Sequence, residues 1–413
     1  MRTQGSDIIE TPEITPKRSH LLEVLATFTR LGLTSFGGPV AHLGYFREEI
    51  VIRRKWVDER TYGDLIGLCQ FLPGPASSQT GISLGIMRAG LLGGLMAWIG
   101  FTLPSAILLT LFAYWTSVLR SVIASGILHG LMVVAVAVVA QAVWGMARTH
   151  CPDRSRATIA ILAAIATLLL PAGIVQVAII ATFGLFGWFL FKNSEITTES
   201  TSSALRSLIP RALAITCLAL FTALLVLFLL PNLFYQFHAL VLFASFYRSG
   251  ALVFGGGHVV LPLLQAAVVL PGWVTETQFL TGYSAAQAVP GPLFTFSAYL
   301  GAIEMPSPNG WLGAIIALLG IYLPSFLLLI GILPFWNSLR NQSAFQAALR
   351  GINAAVVGLL LAALYQPVWT STIKNAYDFL FALAAFGLLL IWKLPPWIVV
   401  LLAALVGGLL SLL

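Results

Sequence analysis

Long apolar runs, separated by short polar or charged loops, follow one another along almost the whole chain. Most of these runs approach the roughly 20 residues that a helix needs to cross a bilayer. Two pairs of runs, 157–170 with 172–191 and 377–391 with 396–413, are shorter and predict hairpins of short helices. The pattern predicts an all-α integral membrane protein, a polytopic helical bundle of about 12–13 spans.

Composition restricts the class of protein further. Hydrophobic residues make up 58% of the chain and charged residues only 9%, whereas soluble domains carry about 25% charged residues. The net charge of +7 is scattered between apolar runs, which excludes the clustered basic face of a nucleic-acid-binding protein. Cys69, Cys151 and Cys217 lie far apart without metal-ligand spacing. We therefore expect structural thiols, and neither a metal nor another cofactor.

The distribution of cations predicts an orientation. Residues 1–20 form a polar tail without a cleavable signal peptide. Lys and Arg are more frequent in this tail and in the even-numbered loops than in the odd-numbered loops, which favours a cytoplasmic N-terminus. The first loop disagrees, because residues 47–60 (REEIVIRRKWVDER) are rich in cations. Either this loop is an interfacial amphipathic helix, or residues 21–43 are re-entrant and do not cross.

The chain contains an internal repeat, because five motifs recur in the same order at an offset between 217 and 221 residues. The matched pairs are FTRLGLTSFGG (28–38) with FYRSGALVFGG (246–256), WVDE (56–59) with WVTE (273–276), QFLPGP (70–75) with QAVPGP (287–292), LPS (103–105) with LPS (323–325), and LHG (128–130) with LRG (349–351). We expect two related halves, repeat 1 over residues 21–191 and repeat 2 over 238–413. A linker and an extra span, residues 192–237, join them.

The number of spans predicts how the halves are oriented. Six spans in repeat 1 and the extra span at 212–232 make an odd number of crossings between the starts of the two repeats. The halves are then inverted relative to each other, as in many secondary transporters with broken helices. If the Phe-Gly-Gly (FGG) segments are re-entrant, the parity changes and the halves become parallel.

Arg30 and Arg248 occupy matching places in the two halves, each six residues before an FGG break. An arginine at membrane depth costs at least ~2.5 kcal/mol unless it has a partner or a polar cavity. One interpretation is a pair of fixed cations that face a central anion site. The other is that these side chains snorkel to an interface or bind lipid phosphate.

Helix breaks inside apolar runs indicate further site residues. Gly37, Gly38, Gly255 and Gly256 interrupt matching runs, and such irregular backbone is tolerated where it lines a cavity. The alternative is close packing of helices through small residues. Because the breaks recur at matching positions of both halves, we expect these glycines at a substrate site.

The Pro-Gly-Pro (PGP) motifs are more specific. Two prolines that bracket a glycine end one helix and start the next, and a helix that starts inside the membrane presents unpaired N–H groups to an anion. The alternative is a plain interfacial turn. The residues expected to bind an oxyanion here are Gly74 and Gly291, the hydroxyls of Ser77, Ser78, Thr295 and Ser297, and the amides of Gln70 and Gln287.

Four further residues are weaker candidates for coupling transport to protons. Glu59 and Glu276 match across the repeat, but each follows a Trp at a predicted helix start, where a carboxylate is favourable in any case. His129 aligns with Arg350, so both are either cations near the pathway or packing residues. No sequence typical of a metalloprotease, a nucleophile elbow or a Walker site occurs, so we expect no enzymatic activity.

The motifs resemble the chromate ion transporter family, of its long two-domain type, over residues 25–370. The matching segments are LTSFGGPVAH (33–42), RRKWVDE (53–59), QFLPGPASSQTGISLG (70–85), SGALVFGGGHVVLP (249–262) and AVPGPLFTFSAYLGA (288–302). The resemblance implies an inner-membrane protein that exports chromate, a tetrahedral dianion, and confers chromate resistance. It also implies that the membrane potential or the proton gradient, rather than ATP, drives export.

Two alternatives stay open at this point. In the first, the physiological substrate is sulfate or another oxyanion. In the second, the chain is a membrane protein that transports nothing. Finding the matched arginines on the lipid-facing surface would favour the second alternative. The expected partners are a small oxyanion and membrane lipids, with no nucleic acid, and an oligomer is compatible with the sequence.

Overall fold

A computed structural model describes residues 18–118, 122–170, 173–191, 209–230, 236–254, 257–336 and 342–412, and the regular secondary structure of these residues is helical. The first half contains α1 (Arg18–Thr34), α2 (Gly38–Phe46), α3 (Glu59–Phe71), α4 (Ala76–Val118), α5 (Val122–His150), α6 (Arg154–Leu169) and α7 (Gly173–Phe191). After the extra helix α8 (Arg211–Leu229), the second half contains α9 (His238–Ala251), α10 (Val260–Val268), α11 (Glu276–Ala288), α12 (Phe296–Ile303), α13 (Gly310–Ile332), α14 (Ser343–Ala363), α15 (Ala376–Leu390) and α16 (Pro396–Leu410). A π-helix, Arg47–Arg53, continues α2.

The prediction of an all-α membrane protein is confirmed, although fewer helices cross in full than the apolar runs suggest. Helices long and apolar enough to cross a bilayer occupy Ala76–Thr116, Ile123–His150, Arg211–Leu229, Gly310–Phe335 and Ser343–Thr372. Shorter apolar helices accompany them. Several predicted spans break in the middle because glycine and proline interrupt them.

The first predicted span is one arm of a re-entrant hairpin. The chain turns after α1 at Gly37, which has a φ of 98° that favours glycine. The returning arm, α2 and its π-helix, packs antiparallel on α1, so that the rings of Phe28 and Phe46 lie 5.6 Å apart. At the far end Arg54 forms an ion pair with Glu23 over 3.2 Å. The chain therefore leaves this hairpin at the same end of the bundle at which it enters.

This hairpin explains the cations of the first loop. Because residues 21–43 do not cross, residues 47–60 lie at the same end of the bundle as the start of α1, as the ion pair between Glu23 and Arg54 requires. Of the two explanations for the charge pattern, the structure therefore supports the re-entrant one. The arginines and the lysine of this loop therefore lie on the same side of the bundle as the start of α1.

Helix α4 changes direction at Gly90, which has a φ of 69°. Its arms are α4a (residues 76–88) and α4b (residues 91–118), and they pack antiparallel with the backbones of Gly85 and Gly93 in contact. A side chain at either glycine would collide with the opposite backbone. The close approach depends on small residues, as in many helix pairs within membranes.

Helices α3 and α4a form a second re-entrant hairpin, with the PGP motif at its tip. Arg88, at the end of α4a, forms an ion pair with Glu23 over 2.9 Å, and Arg54, shortly before α3, contacts the same carboxylate. Both hairpins of repeat 1 therefore open at one end of the bundle. Their tips, the FGG and PGP segments, point into its middle.

The second half repeats this arrangement at the opposite end. His238 at the start of α9 lies against Trp273 before α11, with ring centroids 4.7 Å apart, and 3.4 Å from Glu304 after α12. Helix α4b crosses from the mouth of the repeat 1 hairpins towards this end, where Tyr114 packs on Trp311 at 6.3 Å. The prediction of two inverted repeats with broken helices is confirmed.

The expectation that re-entrant FGG segments would make the halves parallel is wrong. The PGP segments are re-entrant as well, so each half loses two crossings rather than one. After its hairpins, repeat 1 contains four helices, α4b, α5, α6 and α7, which is an even number, and α8 adds one more. The total stays odd, and the halves stay inverted.

The outer helices interlock the two halves. Helix α5 packs on α15 and α16 of the other half, and α14 packs on α6 and α7. Glycines line these contacts, with Gly126 against Gly407 and Gly187 against Gly351. In the middle of α5, residues 133–139 are all buried, as expected for a helix surrounded by protein on every side.

Candidate functional site

The hairpin tips of the two halves meet in the middle of the bundle. The amide of Gly74, in the first PGP motif, donates to the carbonyl of Val253, next to the second FGG segment, over 2.7 Å. The amide of Gly291, in the second PGP motif, donates to the carbonyl of Ser35, next to the first FGG segment, over 2.9 Å. We call this reciprocal pair of contacts the central junction.

Close packing at the central junction requires both PGP glycines. Gly74 has a φ of 121° and Gly291 a φ of 103°, conformations that other residues rarely adopt. A Cβ atom on Gly74 would collide with the hydroxyl of Ser325. A Cβ atom on Gly291 would lie 2.8 Å from the hydroxyl of Ser105. These serines belong to the matched LPS motifs, each from the other half.

Several donors that the sequence assigned to an anion are engaged by the protein itself. The amides of Gly74 and Gly291 bond to carbonyls at the central junction. The hydroxyl of Thr295 donates to Pro292 over 2.7 Å, and that of Ser297 to Phe294 over 2.8 Å. The hydroxyl of Ser77 lies 3.3 Å from Nδ1 of His42. The anion cradle predicted at the PGP motifs is therefore largely occupied by internal hydrogen bonds.

Five buried hydroxyls around the central junction have no hydrogen-bond partner in the described part of the chain, and we call them the hydroxyl cluster: Ser35, Ser78, Thr102, Tyr322 and Ser325. The hydroxyl of Tyr322, from repeat 2, is directed towards Ser78 and Thr102 from repeat 1. A buried polar group left without a partner costs about 1–3 kcal/mol. The cluster is thus a polar surface suited to water or to a polar ligand.

Sequence reasoning found Ser78 but missed Tyr322 and Gln79. Gln79 is fully buried, and its amide nitrogen donates to the carbonyl of Pro73 over 2.8 Å while its oxygen has no described partner. Both residues adjoin repeated motifs, since Gln79 follows the first PGP segment and Tyr322 immediately precedes the second LPS motif. Their position beside the matched motifs was the available signal.

Arg248 lines a cavity of about 250 Å³ beside the central junction. Its guanidinium donates to the hydroxyl of Ser245 over 3.0 Å. The other polar residues of the lining are Ser249 and Gln176, and the side-chain oxygen of Gln176 has no described partner. Among the described residues no carboxylate forms an ion pair with Arg248, so the cavity holds a cation without a neutralising acid.

Arg30 does not share this environment, and the expectation that it faces Arg248 across one site is not met. Its side chain is exposed in a shallow groove on the outer surface of α1. The opposite face of α1, with Thr27, Phe28 and Leu31, packs against α4. In repeat 2 the extra helix α8 packs beside α9, and its Leu229 lines the Arg248 cavity. Among the described helices, none covers Arg30 in this way.

The predicted amides also differ between the halves. Gln70 is exposed, whereas Gln287 is half-buried and its side-chain nitrogen has no described partner. Gln287 lies near Tyr283, whose hydroxyl is 2.7 Å from Nδ1 of His258. Gly37 and Gly38 form the tip of the first hairpin. Gly255 and Gly256 lie outside the described residues.

The matched acids predicted for proton coupling lie at the surface. Glu59 is exposed and forms an ion pair with Arg47 over 2.6 Å. Glu276 is exposed and accepts a hydrogen bond from Ser371. Both stand at hairpin mouths rather than at the central junction, because each begins the first arm of a PGP hairpin.

The other two coupling candidates lie apart from the central junction. His129 contacts Asp378 over 2.8 Å, a partner that has no matching acid in the other half. Arg350 is half-buried. In the described ranges, no group of His, Cys, Asp and Glu residues could hold a metal ion.

Comparisons with known proteins agree with this architecture. The sequence model of the family described as chromate transporter matches residues 22–188 and 240–408. A chromate transport protein from Pseudomonas aeruginosa is 29% identical over 359 residues, which cover 85% of this chain and 82% of that protein. One from Cupriavidus metallidurans is 26% identical over 391 residues, which cover 94% and 92%. An uncharacterized transporter from Methanocaldococcus jannaschii is 25% identical over 353 residues, 83% of each chain. No solved structure matches.

Proposed function

Because this chain belongs to the chromate transporter family, we propose that it carries chromate outward across the inner membrane, with its N-terminus in the cytoplasm. The observation that best supports a transport role is the central junction, where inverted hairpins meet beside a cation that has no described acid partner. Broken helices at a repeat interface are the usual place of substrate sites in secondary transporters.

Arg248 supplies the electrostatic part of the proposed site. A guanidinium can donate to two oxygens of a tetrahedral oxyanion at once, which an ammonium group cannot. The cavity of about 250 Å³ has room for about eight water molecules at roughly 30 Å³ each. It therefore accommodates an oxyanion that keeps part of its hydration shell.

The hydroxyl cluster supplies neutral donors next to this cation. Leu252 lines the Arg248 cavity, and the next residue, Val253, accepts the central hydrogen bond from Gly74. An ion that leaves Arg248 thus meets the unpartnered hydroxyls of Ser78 and Tyr322 near the tips of the hairpins. A single cation followed by neutral donors suits transport, since conduction requires binding that is weak enough for release.

Export is favoured by the membrane potential alone. Moving one charge through 100 mV is worth roughly 2.3 kcal/mol, so a dianion that leaves a negative interior gains about twice that amount. The proposed orientation places the cationic residues 47–60 on the cytoplasmic side together with the N-terminal tail, in agreement with the positive-inside rule. These cations would also attract chromate to the cytoplasmic face.

Chromate flux into everted membrane vesicles tests the proposal. Vesicles that contain the protein should take up radiolabelled chromate, and vesicles that contain an equal amount of the Arg248→Ala variant should take up little. Excess sulfate as competitor measures selectivity between the two oxyanions. Equal uptake by vesicles with and without the protein would refute chromate transport. Preferential sulfate flux would favour sulfate as the substrate.

A further inference from the structure

A carboxylate is buried at the mouth of the repeat 2 hairpins, away from the central junction. Glu304 has 0% of its surface exposed, and neither of its carboxylate oxygens has a hydrogen-bond partner among the described residues. Its nearest ionisable neighbour is His238, whose Nε2 atom lies 3.4 Å from Oε1 of Glu304. Burying an unpaired charge in this way is costly, so the group is favoured in its neutral form.

The surrounding elements hold this pair in place. Glu304 ends α12, and the ring of His238, at the start of α9, packs on Trp273 at 4.7 Å. The amide of Met305 donates to the carbonyl of Trp273 over 3.0 Å. The pair therefore joins the outer ends of both repeat 2 hairpins, and any opening of this mouth separates or hydrates it.

Among the described residues, the neighbouring elements bring no other carboxylate or cation close to Glu304. Helices α10, α12 and α13 carry no Asp, Glu, Lys, Arg or His, and their ionisable groups are the phenols of Tyr299 and Tyr322. On α9 the other charged group is Arg248, which lines its own cavity more than two turns away. On α11 it is Glu276, which is exposed and bonded to Ser371. The proton state of the pair thus depends on Glu304 and His238 themselves.

The corresponding mouth in repeat 1 is built differently. Trp56 matches Trp273, and the guanidinium groups of Arg54 and Arg88 lie 5.8 and 5.4 Å from its ring. Both arginines also contact the carboxylate of Glu23, over 3.2 and 2.9 Å. This mouth is therefore closed by ion pairs between two arginines and one carboxylate. The repeat 2 mouth is closed by a pair that can gain or lose a proton.

We propose that Glu304 and His238 form the proton-binding site that couples chromate export to the proton gradient. The inference rests on the proposed function. With one proton bound, the pair is neutral overall and the mouth stays packed. When that proton leaves, a buried carboxylate remains without a counter-charge, which favours opening of the mouth to water. In the proposed orientation this mouth faces outward, so protons enter from the outside while chromate leaves.

Burial raises the pKa of Glu304, which lies in the turn between α12 and α13, to about 8. This value is consistent with a group that changes its proton state near neutral pH, as the coupling requires. The geometry of the mouth carries the inference independently, because it sets an unbonded carboxylate where the outer ends of the two repeat 2 hairpins meet.

Reconstituted proteoliposomes test the coupling. With the membrane potential clamped at zero, each imposed pH unit should raise the chromate accumulation ratio of the wild type about tenfold per proton exchanged. For Glu304→Gln, which mimics the protonated carboxylate, the ratio should stay near one. The control Glu276→Gln removes an exposed carboxylate at the same end and should behave as the wild type. A Glu304→Gln protein that responds to the gradient as the wild type does would overturn the proposal.

A second measurement is independent of transport. Infrared difference spectra of the purified protein should show the carbonyl band of a protonated carboxylic acid that disappears with a midpoint near pH 8 and is absent from Glu304→Gln. A band unchanged by the substitution, or one that titrates at the ordinary pH of a glutamate, would refute the site. If the wild type carries no chromate, the proposed function fails, and these spectra still decide whether the pair binds a proton.

Discussion

The amide of Gly74 donates to the carbonyl of Val253 over 2.7 Å, and this bond joins the PGP tip of one half to the FGG tip of the other. Gly291 and Ser35 form the mirror-image bond over 2.9 Å. Each half therefore holds one hairpin tip of its partner. Movement of either half has to carry both tips with it or break a buried backbone hydrogen bond.

We expect Gly74→Ala to destabilise the folded protein by several kcal/mol. A positive φ costs a non-glycine residue about 1–2 kcal/mol, and the new methyl group would collide with the hydroxyl of Ser325. The midpoint of thermal unfolding in detergent should fall, and adding Ser325→Gly should restore part of the loss. Gly63→Ala, in open space on α3, is the control. Equal midpoints for the Gly74 and Gly63 variants would contradict the assigned packing.

Arg248→Ala should lower chromate flux at least tenfold, whereas Arg30→Ala should keep most of it. A hydrogen bond to a charged group is worth about 1.5–3 kcal/mol, and tenfold corresponds to about 1.4 kcal/mol. Arg30 lies on the outer surface of α1 and contacts no part of the cavity. Flux per molecule of inserted protein is the measurement.

Arg248→Lys separates charge from geometry at the same position. If the guanidinium binds two oxyanion oxygens, lysine should restore little flux, because an ammonium cannot form that paired contact. Restoration to wild-type flux would show that a positive charge alone is sufficient. Loss of flux in Arg30→Ala with full flux in Arg248→Ala would overturn the site.

Tyr322→Phe should reduce transport without reducing stability. The hydroxyl of Tyr322 is buried and faces the hydroxyls of Ser78 and Thr102 without a full hydrogen bond to either, so its removal should leave the unfolding midpoint close to that of the wild type. Tyr247→Phe is the matched control, because its hydroxyl donates to the carbonyl of Phe221 over 3.1 Å. It should lose stability and keep transport. Unchanged flux in Tyr322→Phe would remove the hydroxyl cluster from the pathway.

Cysteine labelling should place the two hairpin mouths on opposite faces of the membrane. The native cysteines, Cys69, Cys151 and Cys217, are first replaced, and single cysteines are introduced at the exposed positions Glu48 and Leu270. In oriented vesicles an impermeant thiol reagent should modify one position and spare the other. Modification of both from the same side would contradict the inverted arrangement.

The stability of the purified protein should fall as the pH rises towards 9. The pKa of Glu304 is raised from 4.5 to about 8 by burial, so the folded state binds this proton more tightly than the unfolded state does. The stabilisation is complete below pH 4.5 and is lost as the pH rises through 8, by at most about 1.36 kcal/mol per pH unit. The unfolding midpoint of Glu304→Gln should lack this component, and an unchanged pH profile would show that Glu304 titrates normally.

Features that depend only on neighbouring residues, such as helix breaks, could be predicted from the sequence. Glycine and proline break helices wherever they stand, so the tips at Gly37, Gly74 and Gly291 follow from residue type. The repeat offset also identified the motifs that meet at the central junction, although each PGP segment contacts the FGG and LPS segments of the other half rather than its own repeat copy. The sequence did not distinguish a broken span from a hairpin, because that depends on where the returning arm packs.

The burial of a side chain by a helix that is distant in the sequence could not be predicted. Arg30 and Arg248 have the same local sequence context, but α8 packs on α9, which carries Arg248, and on α13. Glu304 and Tyr322 were passed over for a related reason, since neither belongs to a motif matched between the halves. A search guided by symmetry finds what the halves share, such as Arg248 and Ser325, and passes over groups such as Glu304 and Tyr322 that occur in one half alone.

Helix α8 also decides how such a chain can be assembled. After its two hairpins, repeat 1 contains four helices, an even number, so a direct fusion of the two halves would give both the same orientation. One additional apolar helix of 19 residues reverses the second half. The orientation of the second half therefore depends on this one helix. Leu229, at the end of the same helix, lines the cavity that contains Arg248. The inverted orientation of the second half and the difference between the surroundings of Arg248 and Arg30 thus both depend on this helix.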